Sequence, residues 1–193
     1  VQDASGRIVG VGSTDTGLLT PISTTSGYRT LVARWTTDGA LDPSFGIGGI
    51  VELDTGADGQ RASQVAIDAA GRILIAGFGP DGFVVVRLHP NGGLDTSFDA
   101  DGTTSAPDAL FYETDDLAVD GLGRVLVSGR STFGGGSSPQ PIVVRFAADG
   151  SLDAGFGTNG IAVVSFGFVN VADRAVVHGG PAGAVTVAAT GRI

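Results

Sequence analysis

An eight-residue phrase returns three times along this chain, and no other feature restricts its fold as much. It reads Asp38-Gly39-Ala40-Leu41-Asp42-Pro43-Ser44-Phe45, then Asn91-Gly92-Gly93-Leu94-Asp95-Thr96-Ser97-Phe98, then Asp149-Gly150-Ser151-Leu152-Asp153-Ala154-Gly155-Phe156. A second phrase, Gly-Arg-aliphatic, precedes each copy at Gly6-Arg7-Ile8, Gly71-Arg72-Ile73 and Gly123-Arg124-Val125, and a decayed version stands at Gly183-Ala184-Val185. The glycines of that second phrase are 65, 52 and 60 residues apart. Self-similarity at such a period marks units that bury their faces on one another and do not fold alone. The units run approximately 1–62, 63–113 and 114–173, with a partial fourth at 174–193.

Between the phrases lie apolar runs of strand length, alternating or continuous, with no 3.6-residue spacing. In the second unit they are Gln64 to Ile67, Ile73 to Ala76, Phe83 to Leu88 and Thr103 to Ala106, and Asp68-Ala69-Ala70-Gly71-Arg72 turns the first pair. The 33 glycines have no period of three, so they suit tight turns between many short strands. Four antiparallel strands in a unit of this length predict an all-β chain of β-propeller blades, about three and a half repeats of a longer propeller. A β-solenoid is the alternative, although solenoids stack shorter coils.

The third strand carries an arginine at one fixed register: Leu31-Val32-Ala33-Arg34-Trp35, Val84-Val85-Val86-Arg87-Leu88 and Ile142-Val143-Val144-Arg145-Phe146. A guanidinium inside an apolar run needs a partner. Asp42, Asp95 and Asp153 each follow eight residues later, so structural pairs Arg34–Asp42, Arg87–Asp95 and Arg145–Asp153 are expected to cap the loop. Phe45, Phe98 and Phe156 are then expected as anchors of the core between units.

The Gly-Arg-Ile hairpin, the Ala-Arg-Trp or Val-Arg-Leu strand and the Asp-Gly-x-Leu-Asp-x-Ser-Phe-Gly segment together resemble the delta-60 repeat family over nearly the whole chain. The resemblance implies propeller-type repeats of large bacterial surface or secreted proteins, with no shared enzymatic activity to carry over to a residue here. The chain departs from the pattern where Phe98 is followed by Asp99 and where the fourth hairpin has lost its arginine.

A formal charge of −9 and a pI near 4.4 repel phosphate backbones and anionic lipid, so neither nucleic acid nor membrane insertion is expected. No run approaches the roughly 18 apolar residues of a membrane-spanning helix. Cysteine is absent, which removes disulfides and thiolate chemistry, and methionine is absent too, so the chain reads as an internal piece of a longer protein. The two histidines, His89 and His178, are too few for a histidine metal centre. Phe133-Gly134-Gly135-Gly136-Ser137-Ser138 lacks the Gly-Lys-Ser ending of a phosphate cradle, and no nucleophile elbow is present. The one metal-like segment is Asp99-Ala100-Asp101-Gly102, where Asp99 and Asp101 are candidate calcium ligands; no other cofactor is expected. Asp115-Asp116, and Asp54 with Asp58, read as solvated turn charges.

Length variation is confined to one loop per unit. From each Asp/Asn-Gly glycine to the next hairpin glycine the distance is 32, 31 and 33 residues, whereas the other half of the unit spans 33, 21 and 27. The variable loops are Ser13 to Gly27, Phe78 to Gly82 and Ser131 to Gln140, each joining second and third strands. Variable loops on a fixed scaffold are where recognition usually lives. The expectation is therefore a non-enzymatic scaffold or binding module of a larger extracellular, cell-surface or periplasmic protein, contacting another protein or a glycan through one face. The alternatives are a fragment of a propeller enzyme of lactonase, lyase or hydrolase type, with its site in the central channel, and a structural assembly subunit. Further blades, from the same or another chain, are expected to complete a ring, since three to four units fall short of the usual blade number.

Overall fold

The computed structural model describes residues 1–15, 28–53, 61–79, 82–106, 111–131, 140–163, 171–183 and 185–192. Within them the chain forms four antiparallel sheets in series. The first holds β1 (Ile8–Asp15), β2 (Tyr28–Trp35) and β3 (Ile50–Leu53). Val1 and Gln2 stand where a first strand would run, with Gln2 bridged to Ile8 and the Val9 N–H donating to Val1 O at 2.9 Å. The second holds β4 (Arg61–Ile67), β5 (Ile73–Gly79), β6 (Gly82–Leu88) and β7 (Thr103–Ser105). The third holds β8 (Phe111–Val119), β9 (Val125–Ser131), β10 (Gln140–Phe146) and β11 (Ile161–Val163). The fourth pairs β12 (Val171–Gly179) with β13 (Val185–Arg192), joined by a 3-10 turn at Pro181–Gly183. Each complete sheet is an up-and-down meander in sequence order, as a propeller blade requires.

The continuous apolar runs have a direct cause: the inner strands are covered on both faces. Along β5, Ile73 and Ile75 pack with Val9, Val32 and Phe45 of the first sheet. The alternate residues Leu74 and Ala76 pack with Leu117, Val125, Val127 and Phe146 of the third. Successive side chains point to opposite faces, so both registers of the strand must be apolar. A smaller core of Leu126, Val143 and Val177 joins the third sheet to the fourth. Phe83 and Phe146 stack across the second junction with ring centroids 5.9 Å apart. Burial of each such ring contributes on the order of 2–3 kcal/mol.

The first strands β4, β8 and β12 pack on one another from sheet to sheet. Each has a β-bulge where its register shifts, between Ala62 and Gln64 in β4, twice in β8, and between Ala172 and Arg174 in β12. One sequence expectation fails here. Asp115 and Asp116 are not turn charges: both lie in β8, Asp115 is buried, and Asp116 Oδ2 accepts the Val177 N–H from the fourth sheet at 3.0 Å. Asp54 and Asp58 lie outside the described residues.

Strand register separates the two ends of each sheet. Ile73 pairs with Leu88 beside the repeated turns, and Gly79 pairs with Gly82 at the far end, where the variable loop joins β5 to β6. Positions 16–27, 80–81 and 132–139 of the variable loops lie outside the described residues, and with them the whole Phe133–Ser138 segment.

Candidate functional site

At the end of the sheets that carries the repeated turns, each unit builds the same array of charges. The hairpin aspartate closes its own turn first. Asp68 Oδ1 accepts the N–H groups of Ala70 and Arg72, both at 2.9 Å, and Asp68 Oδ2 accepts Arg72 Nε at 2.6 Å. Asp3 with Arg7 and Asp120 with Arg124 repeat the arrangement at 2.7 Å. A short acceptor side chain reaching its own backbone two and four residues on is the ordinary chemistry of an Asx turn.

The hairpin arginine then reaches the aspartate of the eight-residue phrase. Arg7 Nη1 lies 3.4 Å from Asp42 Oδ2, Arg72 Nη1 3.8 Å from Asp95 Oδ2, and Arg124 Nη1 3.9 Å from Asp153 Oδ2. The same oxygen takes the third-strand arginine: Arg34 Nε at 2.8 Å, Arg87 Nε at 2.7 Å and Arg145 Nε at 2.8 Å. The result is a ladder of alternating charge in every unit, Asp3–Arg7–Asp42–Arg34, Asp68–Arg72–Asp95–Arg87 and Asp120–Arg124–Asp153–Arg145. Each third-strand guanidinium also lies over the phenylalanine of its own phrase, 4.7 Å from the Phe45 centroid, 4.4 Å from Phe98 and 4.3 Å from Phe156.

The other aspartate oxygen folds the phrase itself. Asp95 Oδ1 accepts the Ser97 N–H at 3.1 Å and its hydroxyl at 2.6 Å, and Asp42 holds Ser44 in the same way. In the third unit Gly155 replaces the serine and offers only its N–H, 3.1 Å from Asp153 Oδ1. These donors hold the Asp42 carboxyl down to about 2, the Ser44 hydroxyl and N–H first and the Arg34 charge after them. Burial pushes the Asp95 carboxyl up, but Ser97 and Arg87 outweigh it and the net direction is down. Asp120 behaves likewise, burial being outweighed by Arg124 and the N–H of Leu122.

The ladders also fasten one unit to the next. Arg34 Nη1 donates to the Pro90 carbonyl, and Arg87 Nη1 donates to the Ala148 carbonyl at 2.6 Å. The residue after each phenylalanine adds a main-chain bond to the next position, Gly46 N–H to Asn91 O at 2.9 Å and Asp99 N–H to Asp149 O at 2.7 Å. The turn glycine then lies directly on the preceding unit. A Cβ on Gly92 would come within 2.6 Å of Val51 and 3.1 Å of the Phe45 ring, and one on Gly150 within 2.7 Å of Asp99 N and 3.0 Å of Phe98. With φ of 92° and 96°, both positions need glycine for conformation as well as for room. A cleft of about 280 Å³ lies where the first two hairpins meet, lined among others by Asp3, Arg7, Arg34, Ala69, Ala70 and Pro90.

The nine residues expected to be structural therefore meet within each unit: Arg34, Asp42 and Phe45; Arg87, Asp95 and Phe98; Arg145, Asp153 and Phe156. The hairpin partners Asp3, Asp68 and Asp120 are additional members whose signal was the repeated Asp-x-x-x-Arg spacing. Asp99 and Asp101 are both exposed, and the Asp101 Oδ1 accepts the Thr103 N–H at 2.8 Å. Among the described residues no group of three or more His, Cys, Asp or Glu side chains is placed to hold a metal ion. His89 and His178 are exposed and lie in different sheets' surroundings. A polar cluster that does not repeat stands on β8, where Thr114 and Asp115 are buried and the Thr114 hydroxyl has no hydrogen-bond partner.

Serial four-stranded antiparallel sheets, cores between consecutive sheets, and a repeated inter-unit fastening define β-propeller repeats. Residues 22–45, 71–98 and 123–156, one segment in each of the first three units, match the family model described as a domain of unknown function (DUF5122) beta-propeller. No curated protein matches the chain. Among the described residues no helix is long and apolar enough to cross a membrane.

Proposed function

We propose that this chain is a non-enzymatic scaffold and binding module of a larger extracellular or cell-surface bacterial protein of the delta-60 type, which contacts another protein or a glycan through the loops joining second and third strands. One observation carries the reading: the repeated charged groups are consumed in holding units together at one end of the sheets, while all length variation falls at the other end. An end whose arginines already serve aspartates and carbonyls has little left to offer a ligand. Loops that change length without disturbing strand pairing are free to diversify.

The test replaces residues 16–27 and 132–139 by the short connection of the second unit and measures binding to a panel of immobilised glycans and to the ectodomains of the source cell's surface proteins. A retained thermal transition with lost binding is expected. Unchanged binding with both loops shortened would overturn the proposal.

A second reading, a fragment of a propeller enzyme, draws on Thr114, Asp115 and Asp116, a polar group confined to one unit on the strand that meets its neighbours' first strands. Turnover abolished by Asp116→Asn, with the fold intact, would favour it over the binding module.

A further inference from the structure

The hairpins that carry the ladders do not meet in the same way along the chain. At the third junction hairpin 120–124 touches the next hairpin directly: Arg124 Nη2 donates to the Gly183 carbonyl at 2.8 Å, and the Gly121 N–H donates to the Gly180 carbonyl at 3.2 Å. Leu122 helps to close this junction, since a Cβ on Gly183 would come within 3.1 Å of it. At the first junction, between hairpins 3–7 and 68–72, no hydrogen bond crosses among the described residues. Ser5 stands where the third hairpin has Leu122, and the cleft of about 280 Å³ opens there.

Most arginine donors at this end are spent within the ladders, but Arg7 keeps one. It gives Nε to Asp3 and Nη1 to Asp42, and among the described residues its Nη2, the counterpart of the nitrogen that Arg124 gives to Gly183, has no acceptor. The Gly71 carbonyl, the counterpart of the Gly183 carbonyl, accepts no hydrogen bond among the described residues. Arg7, Gly71 and Ser5 all line the cleft. Most of the remaining wall is aliphatic, from Val9, Ile67, Ala69, Ala70, Ile73 and Pro90. Apolar walls with a few polar groups are the usual make-up of a small binding site.

We propose that this cleft binds a neutral peptide segment of small residues from a protein partner, one amide of which accepts from Arg7 Nη2 and donates to the Gly71 carbonyl. The third junction supplies the precedent, a main-chain carbonyl of the Pro181–Gly183 turn at the equivalent nitrogen. Charge selects a neutral acceptor. Asp3 and Asp42 already flank the Arg7 guanidinium at 2.7 and 3.4 Å, so an incoming carboxylate would face two acids. Size and lining select small aliphatic side chains, and the lining holds no aromatic ring on which a sugar could stack. The cleft lies at the end of the sheets opposite the variable loops, so this contact is separate from the loop-mediated binding proposed above.

The test titrates the 193-residue chain with the capped peptide acetyl-Pro-Ala-Gly-amide and follows the protein's amide resonances by NMR. Saturable one-to-one binding is expected, with the largest shifts at Ser5, Arg7 and Ala69 to Gly71. Ser5→Leu, which borrows the residue of the third hairpin, should weaken binding at least tenfold, and Arg7→Lys should weaken it as well. Should Arg7→Lys fail to fold, Ser5→Leu alone decides. The chain with residues 16–27 and 132–139 shortened should bind the peptide as the wild type does, which separates this site from the loops; loss of peptide binding there overturns the proposal. Absence of saturable binding, or unchanged binding by Ser5→Leu, overturns it too. So does tighter binding of acetate, which would mark an anion site, or of N-acetylglucosamine, which would mark a sugar site.

Discussion

Arg87 donates from Nη1 to the main-chain carbonyl of Ala148, 61 residues further along the chain, at 2.6 Å. Its Nε simultaneously serves Asp95 at 2.7 Å and its Nη2 serves the Ser97 hydroxyl at 3.2 Å. One side chain thus closes a loop in its own unit and fastens the next, which only a planar five-donor fork can do.

Arg87→Met is expected to destabilise the chain by about 3–5 kcal/mol, because it strips the buried Asp95 carboxylate of its closest cation and leaves it the Ser97 donors and the more distant Arg72 at 3.8 Å. Arg87→Lys should recover only a small part, since an ammonium cannot reach three acceptors in a fixed plane. The double change Arg87→Met with Asp95→Leu should cost less than Arg87→Met alone. Urea unfolding of the four proteins measures all three comparisons.

Three turn glycines share a left-handed backbone and differ in surroundings. Gly39 has φ 86° with nothing within 4 Å of its added Cβ, whereas Gly92 and Gly150 press on the preceding unit. Gly39→Ala should therefore cost about 1 kcal/mol from conformation alone. Gly92→Ala and Gly150→Ala should cost roughly 1–3 kcal/mol more, the added amount reporting the contact between units. Equal losses at the three sites in thermal melts would refute the fastening.

Acid should loosen the ladders within a defined window. Asp42 has its carboxyl lowered from 3.8 to about 2, so the folded state holds its proton less tightly than the unfolded chain. Its contribution to stability is complete above the unfolded value and is lost as pH falls from there toward about 2. Asp95 and Asp120 shift in the same direction. Denaturant midpoints should stay level from neutrality to about pH 5 and fall steeply below about pH 4. Asp42→Asn should flatten part of that fall.

Ala100 holds a left-handed φ of 66° without being glycine. Relieving it by Ala100→Gly should raise stability by about 0.5–1 kcal/mol, seen as a higher melting temperature.

The third-strand arginines and their aspartates are legible in the sequence because their side chains repeat at one spacing. The Arg87–Ala148 bond was not readable, since its acceptor is a main-chain carbonyl that any residue supplies; Pro90 fills the equivalent place. Asp115 and Asp116 are not legible as strand residues for a different reason. Two adjacent acids look like a turn when strands are recognised by alternation, and the bulge between Thr114 and Asp116 breaks that alternation inside β8. The fold class followed from runs such as Ile73 to Ala76, whose apolarity in both registers reflects sheets on either side.

The three ladders engage six of the eleven cationic residues and six of the twenty acids, so five cations face fourteen acids elsewhere and the whole formal charge of −9 resides outside them. Beyond a Debye length of about 8 Å in physiological salt, the ladders themselves look nearly uncharged to an approaching ion, and the exposed Asp38 and Asp149 of the repeated turns are acids beside them. Any long-range pull on a cationic partner must arise from the remaining acids, and its salt dependence will count those residues and not the ladders.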